Sequence, residues 1–372
     1  FGEIVEPGVK GGADPVFTYT GDRPARWSAA ENPFLYGYWK RGYRAEFIRI
    51  KGIDPEKKTI QLAATNSLGA LEDGGASRYF AVNLLEELDA PGEWFLDRKT
   101  GILYIWPPTK AGRLVLSVNQ TAVIEGSKVG HVTFRDLGIE CSARDGISLK
   151  GSNHIKVVSC EVRNTAFGGI VLEGNQNLIS GCDVHHTGDL AISSKTGNRY
   201  TLEPGGSVVD NNHIHHTNQI ARAGSRAVQF TGVGGRLSHN LIHDTGYIAV
   251  RFHGNEHILE YNHLFRTNVE STEGGVFYIG RDWTARGSII RYNFIHHVED
   301  SREGCGSATR FVHLDDSAPE IEIHGNVCYR LGGGVSVCGG AANNVHDNLF
   351  IECHWGVDIG PRGHDMFVSD GK

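Results

Sequence analysis

The sequence predicts an all-β protein, a parallel β-helix preceded by a small β-rich subdomain. Three observations predict it: a repeat whose shortest interval is 22 residues, apolar residues two apart inside each repeat, and 49 glycines in 372 residues. That glycine share is nearly twice the ordinary value of about 7%, and a chain so composed turns often.

Residues 1–115 lack the repeat and form the first expected unit. RAEFIRIKGIDPEKKTIQLAA reads as a hairpin in which Ile48 and Ile50 oppose Ile60 and Leu62 around an Asp54-Pro55 turn. GEWFLDRKTGILYIWPP reads as a second hairpin, turning between Asp97 and Gly101 and stopped by Pro107-Pro108. Trp27, Phe34, Tyr36, Tyr38, Trp39, Tyr43, Trp94 and Trp106 are the expected core of this unit.

Residues 116–372 carry the repeat. Aligning SCEVRNT, GCDVHHT, NNHIHHT, HNLIHDT, YNHLFRT, YNFIHHV, GNVCYRL and DNLFIEC puts Cys160, Cys182, Asn212, Asn240, Asn262, Asn293, Asn326 and Asn348 in one column. The intervals are 22, 30, 28, 22, 31, 33 and 22, so one rung recurs with insertions. Val162, Val184, Ile214, Ile242, Leu264, Ile295, Cys328 and Phe350 follow two residues later, as the period of a strand requires. Identical side chains would then pile into ladders about 4.8 Å apart, the spacing of neighbouring strands. No rung shows the i, i+3, i+4, i+7 spacing of a helical solenoid. Period alone does not fix the hand, and a right-handed coil is the commoner form.

Net charge is −7, with 36 basic against 43 acidic residues, and no basic stripe stands out. A nucleic-acid partner is therefore not expected, nor a membrane partner, since no apolar run approaches the roughly 18 residues of a span. The only methionine is Met366, so the expectation is that a leader has been removed or that the chain is a piece of a longer one. Seven cysteines without metal-type spacing read as free thiols, although Cys160 and Cys182 share a column and leave a bridge between them open. Nineteen histidines invite a metal reading. His185, His215, His243 and His296 hold one column, however, so stacking accounts for them and no metal is expected. Calcium at an Asp-rich turn stays open, although no spacing demands it.

The second strand of each rung shows where chemistry would sit. Its inward residues read as Val228/Phe230, Val250/Phe252, Phe277/Ile279, Val312/Leu314, Val335/Val337 and Val357/Ile359. The outward neighbours then include Arg251, His253, Tyr278, His313, Asp315 and Asp358, with Asp282 and Asp316 just past strand ends. Asp282 and Asp315 or Asp316 on neighbouring rungs would lie roughly 5 to 9 Å apart, the span used in glycoside hydrolysis. Crowding two acids raises the pKa of one and separates proton donor from carboxylate. The plainer alternative makes Asp315 and Asp316 turn formers. Tyr278, Arg281, His313, Arg251, His253 and Asp358 are the expected substrate contacts, with Glu273 either facing substrate or solvent and Trp283 either stacking on a sugar or packing under its loop.

The strings GDRPARW, NLLEELDAPGEWFLDRKTGILYIWPP, EGGVFYIGRDWTARGSIIRYNFIHHV and HLDD span nearly the whole chain. Together they resemble the right-handed β-helix glycoside hydrolases of family 141, which include α-L-fucosidase and xylanase activities. The resemblance implies a pectate-lyase-like solenoid with an insert-like β-rich unit, a plant or algal polysaccharide as substrate, and acid chemistry at Asp282 and at Asp315 or Asp316. It also implies a secreted or periplasmic protein. A polysaccharide lyase using Arg251, Arg281, His253 or His313 on a uronate polymer is the alternative enzyme, and a non-catalytic glycan-binding β-helix is the third reading.

Overall fold

The computed structural model describes residues 2–7, 15–39, 43–64, 78–108, 114–271, 274–298 and 309–362. The chain divides into two compact units, Phe1–Val115 and Leu116–Lys372.

In the first unit, six antiparallel strands between Gly2–Pro7 and Arg78–Val82 close into a barrel. Ile50 pairs with Leu62 and Asp54 with Thr59, so the first expected hairpin forms, with a bulge between Ile50 and Gly52. Phe17, Trp27, Leu35, Trp39, Ile60 and Leu62 fill the core. Trp94 and Trp106 do not: at 65% and 46% exposure they flank the separate two-stranded hairpin of Trp94–Asp97 and Ile102–Ile105. A two-stranded ribbon has no second layer to bury an aromatic face.

The second unit is a right-handed parallel β-helix. Three parallel sheets of nine, nine and ten strands run its length among the described residues, each strand pairing with its counterpart one rung away. The pairs Val162↔Val184, Val184↔Ile214, Ile214↔Ile242 and Ile242↔Leu264 place the apolar column of the repeat in register, and these five residues are buried.

The asparagine column closes the turn that precedes it. From Asn240 on, each Asn Oδ1 accepts both the backbone N–H and the side-chain amide of the previous member, as between Asn240 and Asn262 at 3.0 and 2.9 Å. The ladder runs unbroken from Asn212 to Asn348. Amide donors and acceptors thus satisfy one another where water is excluded. Cys160 and Cys182 head the column as free thiols, and both face backbone carbonyls.

The ten-stranded sheet runs from Ile124–Ser127 to Val357–Gly360. Val228, Phe230, Val250, Phe252, Phe277, Ile279, Val312, Leu314 and Val335 point into the core as the alternation requires, with Val337 just inside it at 8% exposure. Val357 and Ile359 depart from that reading, at 47% and 76% exposed, because no described strand stacks on their far side.

Candidate active site

Alternation in the ten-stranded sheet turns Ser193, Gln229, Arg251, Tyr278, His313, Ser336 and Asp358 outward in one register column. The middle of that column is a connected row. Arg251 Nε donates to His253 Nε2 at 2.9 Å, and its guanidinium lies 5.8 Å from the Tyr278 ring. The Tyr278 ring stands edge-on to His313 at 5.5 Å, and its hydroxyl donates to Asp315 Oδ2 at 2.9 Å. A Cβ at Gly280 would stand 2.7 Å from the Tyr278 hydroxyl, so any larger residue there would press on this contact.

Asp282 closes one end of the row. Arg199 grips it with both terminal nitrogens, at 3.0 and 2.7 Å, and the Gly254 N–H donates to Oδ2 at 2.8 Å. His253 Nδ1 stands 3.7 Å from the same oxygen. Burial pulls the Asp282 pKa up, but His253, Arg199 and the Gly254 amide outweigh it and hold the carboxyl well below the usual carboxylate range. Gly254 sits at φ +110° with its Cα against the Gly232 carbonyl, where any Cβ would clash at 2.0 Å. Only glycine lets that amide reach the carboxylate.

Asp315 and Asp316 close the other end. Asp315 Oδ1 accepts from the Asp316 N–H and from Arg362, both at 3.0 Å, and lies 3.6 Å from His313 Nε2. Asp316, at φ 43°, accepts from Arg281 Nε at 2.6 Å, and its main-chain carbonyl holds the Trp283 indole N–H at 3.0 Å. Trp283 is 55% exposed, so its ring presents a flat apolar face beside the row. His313 is buried and faces Cys338 Sγ at 3.5 Å. Burial, then the charges of Arg310 and Arg362, push its pKa down to about 3, so the imidazole is neutral near pH 7.

The structure thus brings together Arg251, His253, Tyr278, Arg281, Asp282, Trp283, His313, Asp315 and Asp316. Asp358 continues the column two rungs beyond His313 and is exposed. Glu273 lies outside the described residues. Asp282 reaches back to the Gly254 amide on the strand Ile248–Asn255, whereas Asp315 ends a strand two rungs further on and accepts from Tyr278 on the strand between them.

The family called "Right handed beta helix region" matches residues 114–262 and, overlapping them, 145–303, together just over half of the chain. The chain belongs to this right-handed β-helix family. Among solved structures, the β-helix protein is similar to a glycoside hydrolase with a TM-score of 0.72 and 11% identity, over 91% of this chain and 71% of that one. The catalytic unit of a thermostable GH87 alpha-1,3-glucanase from Streptomyces thermodiastaticus strain HF3-3 gives a TM-score of 0.40 at 11% identity, over 94% and 76%. An alginate lyase from Paenibacillus sp. str. FPU-7 gives 0.40 at 12% identity, over 58% and 76%. At these identities the likeness is one of fold. No curated protein matches the chain in sequence.

Several residues of this β-helix site lie beyond the sequence reading. Arg199 meets Asp282 across 83 positions, from the insertion that lengthens the Cys182–Asn212 interval to 30 residues. A basic residue in a rung insertion upstream of the groove was the available signal. Arg226 and Arg310 begin two strands of the sheet. Arg226 Nε and Arg310 Nε and Nη1 are buried without a hydrogen-bond partner, as are Gln229 Oε1 and His313 Nδ1. Such groups are costly to leave unmet.

Proposed function

We propose that this protein is a glycoside hydrolase that binds a plant or algal polysaccharide along the ten-stranded sheet. Asp282 is the permanently ionised carboxylate of the site, because every nearby donor favours its charge. Tyr278 and Asp315 form the proton-bearing pair: burial, then the Asp315 charge, raise the phenol pKa, so the proton stays in the pair at neutral pH. A glycosidic oxygen placed against that pair can take the one proton it holds as it leaves, the negative charge left on Tyr278 and Asp315 being met by Arg251 and Arg362. The spacing of the two sides decides the stereochemistry, since inverting enzymes leave room for a water between their carboxyls whereas retaining enzymes hold them about 5 Å apart. Asp316 serves as a positioning residue through Arg281 and the Trp283 indole, and Trp283 offers a stacking face for a sugar ring. A polymeric substrate of this kind is met outside the cytoplasm, which favours a secreted or periplasmic setting.

The observation that carries this reading is the connected row from Asp282 through His253, Arg251 and Tyr278 to Asp315 on one outward face. The test is mass spectrometry of products from fucosylated, xylan and uronate polysaccharides, using the wild type, Asp282→Asn and Asp315→Asn. Products that have gained water, and that disappear with both variants, support the hydrolase. The unmet guanidinium nitrogens of Arg226 and Arg310 favour a second reading, a lyase whose arginines neutralise a uronate carboxylate. Unsaturated sugar ends in the same experiment would establish it.

A further inference from the structure

A second chemically loaded surface lies on another sheet of the coil. In the nine-stranded sheet that carries Asp183–Thr187 and His213–Thr217, Asp183 pairs with His213 and His185 with His215. Val184 and Ile214 between them are fully buried, so the four polar side chains face outward together.

Their donor atoms converge. Asp183 Oδ1 lies 3.1 Å from His215 Nε2 and 3.4 Å from His213 Nδ1. Asp183, His185 and His215 each bring one ligand-type atom within 4.8 Å of the other two. A tetrahedral ion with bonds of about 2.0 to 2.1 Å needs ligand atoms roughly 3.3 Å apart along each edge. Register has already produced that spacing from Asp183 Oδ1 to His215 Nε2 and to His213 Nδ1, at 3.1 and 3.4 Å.

The hydrogen-bond bookkeeping of the neighbouring rings supplies a separate argument. His243 Nδ1 faces Asp244 Oδ2 at 2.6 Å and must carry a hydrogen there, since the carboxylate can only accept. A neutral His243 then presents a lone pair at Nε2 to His213 Nε2, 2.8 Å away, so His213 donates from Nε2. The remaining nitrogen of a neutral His213, Nδ1, consequently directs a lone pair at Asp183 Oδ1. Two acceptors face one another, and the row is satisfied only by one more positive charge: either an extra proton on the imidazoles or a metal ion between them.

We propose that Asp183, His213 and His215 bind a divalent transition-metal ion, Zn²⁺ being the fitting example, with solvent completing the coordination. Asp183 Oδ1, His213 Nδ1 and His215 Nε2 give a nitrogen-rich set suited to zinc, copper or nickel, and unlike the six to eight oxygens that calcium takes. The outer contacts are those of a built metal site. His213 Nε2–H donates to His243, itself fixed by Asp244, and His215 Nδ1 faces His216 Nδ1 at 2.7 Å. Asp183 and His213 are each about two-fifths exposed, so an ion can enter directly from solvent.

Titrating the metal-stripped full chain with ZnCl₂ at pH 7.5 by calorimetry, with bound zinc counted by mass spectrometry, tests the proposal. The expected result is saturable binding that weakens at least tenfold in His213→Gln and again in Asp183→Asn, and is unchanged in the control His297→Gln. Both test variants alter outward side chains, and circular dichroism with a melting curve verifies that they fold. Zinc should raise the melting temperature of the wild type and not that of the double variant. Absence of zinc binding by the wild type, or binding undiminished in the folded double variant, would overturn the proposal.

Discussion

Two outward faces of the same coil are built by the same register yet differ in what they stack. On the nine-stranded face, one column repeats flat rings: His185 on His215, His215 on His243, His243 on Phe265 and Phe265 on His296, with centroids 4.7 to 5.2 Å apart and planes within 15°. On the ten-stranded face, the corresponding column reads Gln229, Arg251, Tyr278, His313 and Ser336, with no residue repeated from one rung to the next. Repetition lets each side chain satisfy its neighbour, so a ladder is a structural device first. Variation leaves unlike groups touching at fixed spacing, and unlike groups are what acid–base chemistry needs.

The sharpest way to break the comparison is Asp315→Asn. On the proposed mechanism it should lower turnover by about 10³-fold while the chain stays folded, because the amide still accepts from Tyr278 but cannot pass on a proton. Turnover in a discontinuous product assay within tenfold of the wild type would remove Asp315 from the chemistry.

Asn262→Ala should have the largest effect on stability, about 4 kcal/mol in urea unfolding, with little change in slope. Its amide donates to the Leu237 and Glu260 carbonyls and to Asn293 Oδ1, each at 3.0 Å, and its oxygen receives both Asn240 donors. Deleting it strands buried groups on two rungs at once. A loss below 1 kcal/mol would mean that the ladder merely decorates the turn.

How legible these features were follows from the same distinction. The asparagine and apolar columns could be read from the sequence because one residue type recurs at one offset, and the register then fixed which side chains face outward. The row Arg251, Tyr278, His313, Asp315 followed from that alternation without further information. Arg199 did not, because it reaches Asp282 from an insertion that has no counterpart in other rungs. Nor could the sequence assign Asp282 a protonation state, which depends on a glycine amide at an unusual φ and on that distant arginine. Trp94 and Trp106 were misplaced for the opposite reason: residue type alone suggested a core that a two-stranded hairpin cannot provide.

A smaller effect comes from His257, buried behind the groove. Its Nε2 donates to the His253 carbonyl at 3.0 Å and its Nδ1 accepts the Gly235 N–H at 3.1 Å, so only the neutral ring fits. Burial lowers its pKa to about 4, against about 6.5 in the unfolded chain. Its contribution is therefore fully present above pH 6.5 and is lost as pH falls toward 4, amounting to about 3 kcal/mol across that window. Urea midpoints should decline between pH 6.5 and 4, and His257→Gln should flatten the decline; an unchanged profile in the variant would show that other groups cause it.

Phe265→His should have the smallest effect and is the closest probe of what a ladder demands. Phe265 lies between His243 and His296, stacked on each with ring centroids 4.7 and 4.9 Å apart. An imidazole preserves the flat face and the χ geometry, and on this half-exposed surface it loses only part of an aromatic contact, so the cost should stay within about 0.5 kcal/mol. The corresponding exchange on the other face, Tyr278→Phe, keeps the ring yet removes the hydroxyl that bonds Asp315, and should lower turnover much more than melting temperature. If Phe265→His instead cost more than 2 kcal/mol by urea unfolding, the ring column would depend on residue identity as strictly as the groove does, and the division between a face that stacks and a face that reacts would not hold.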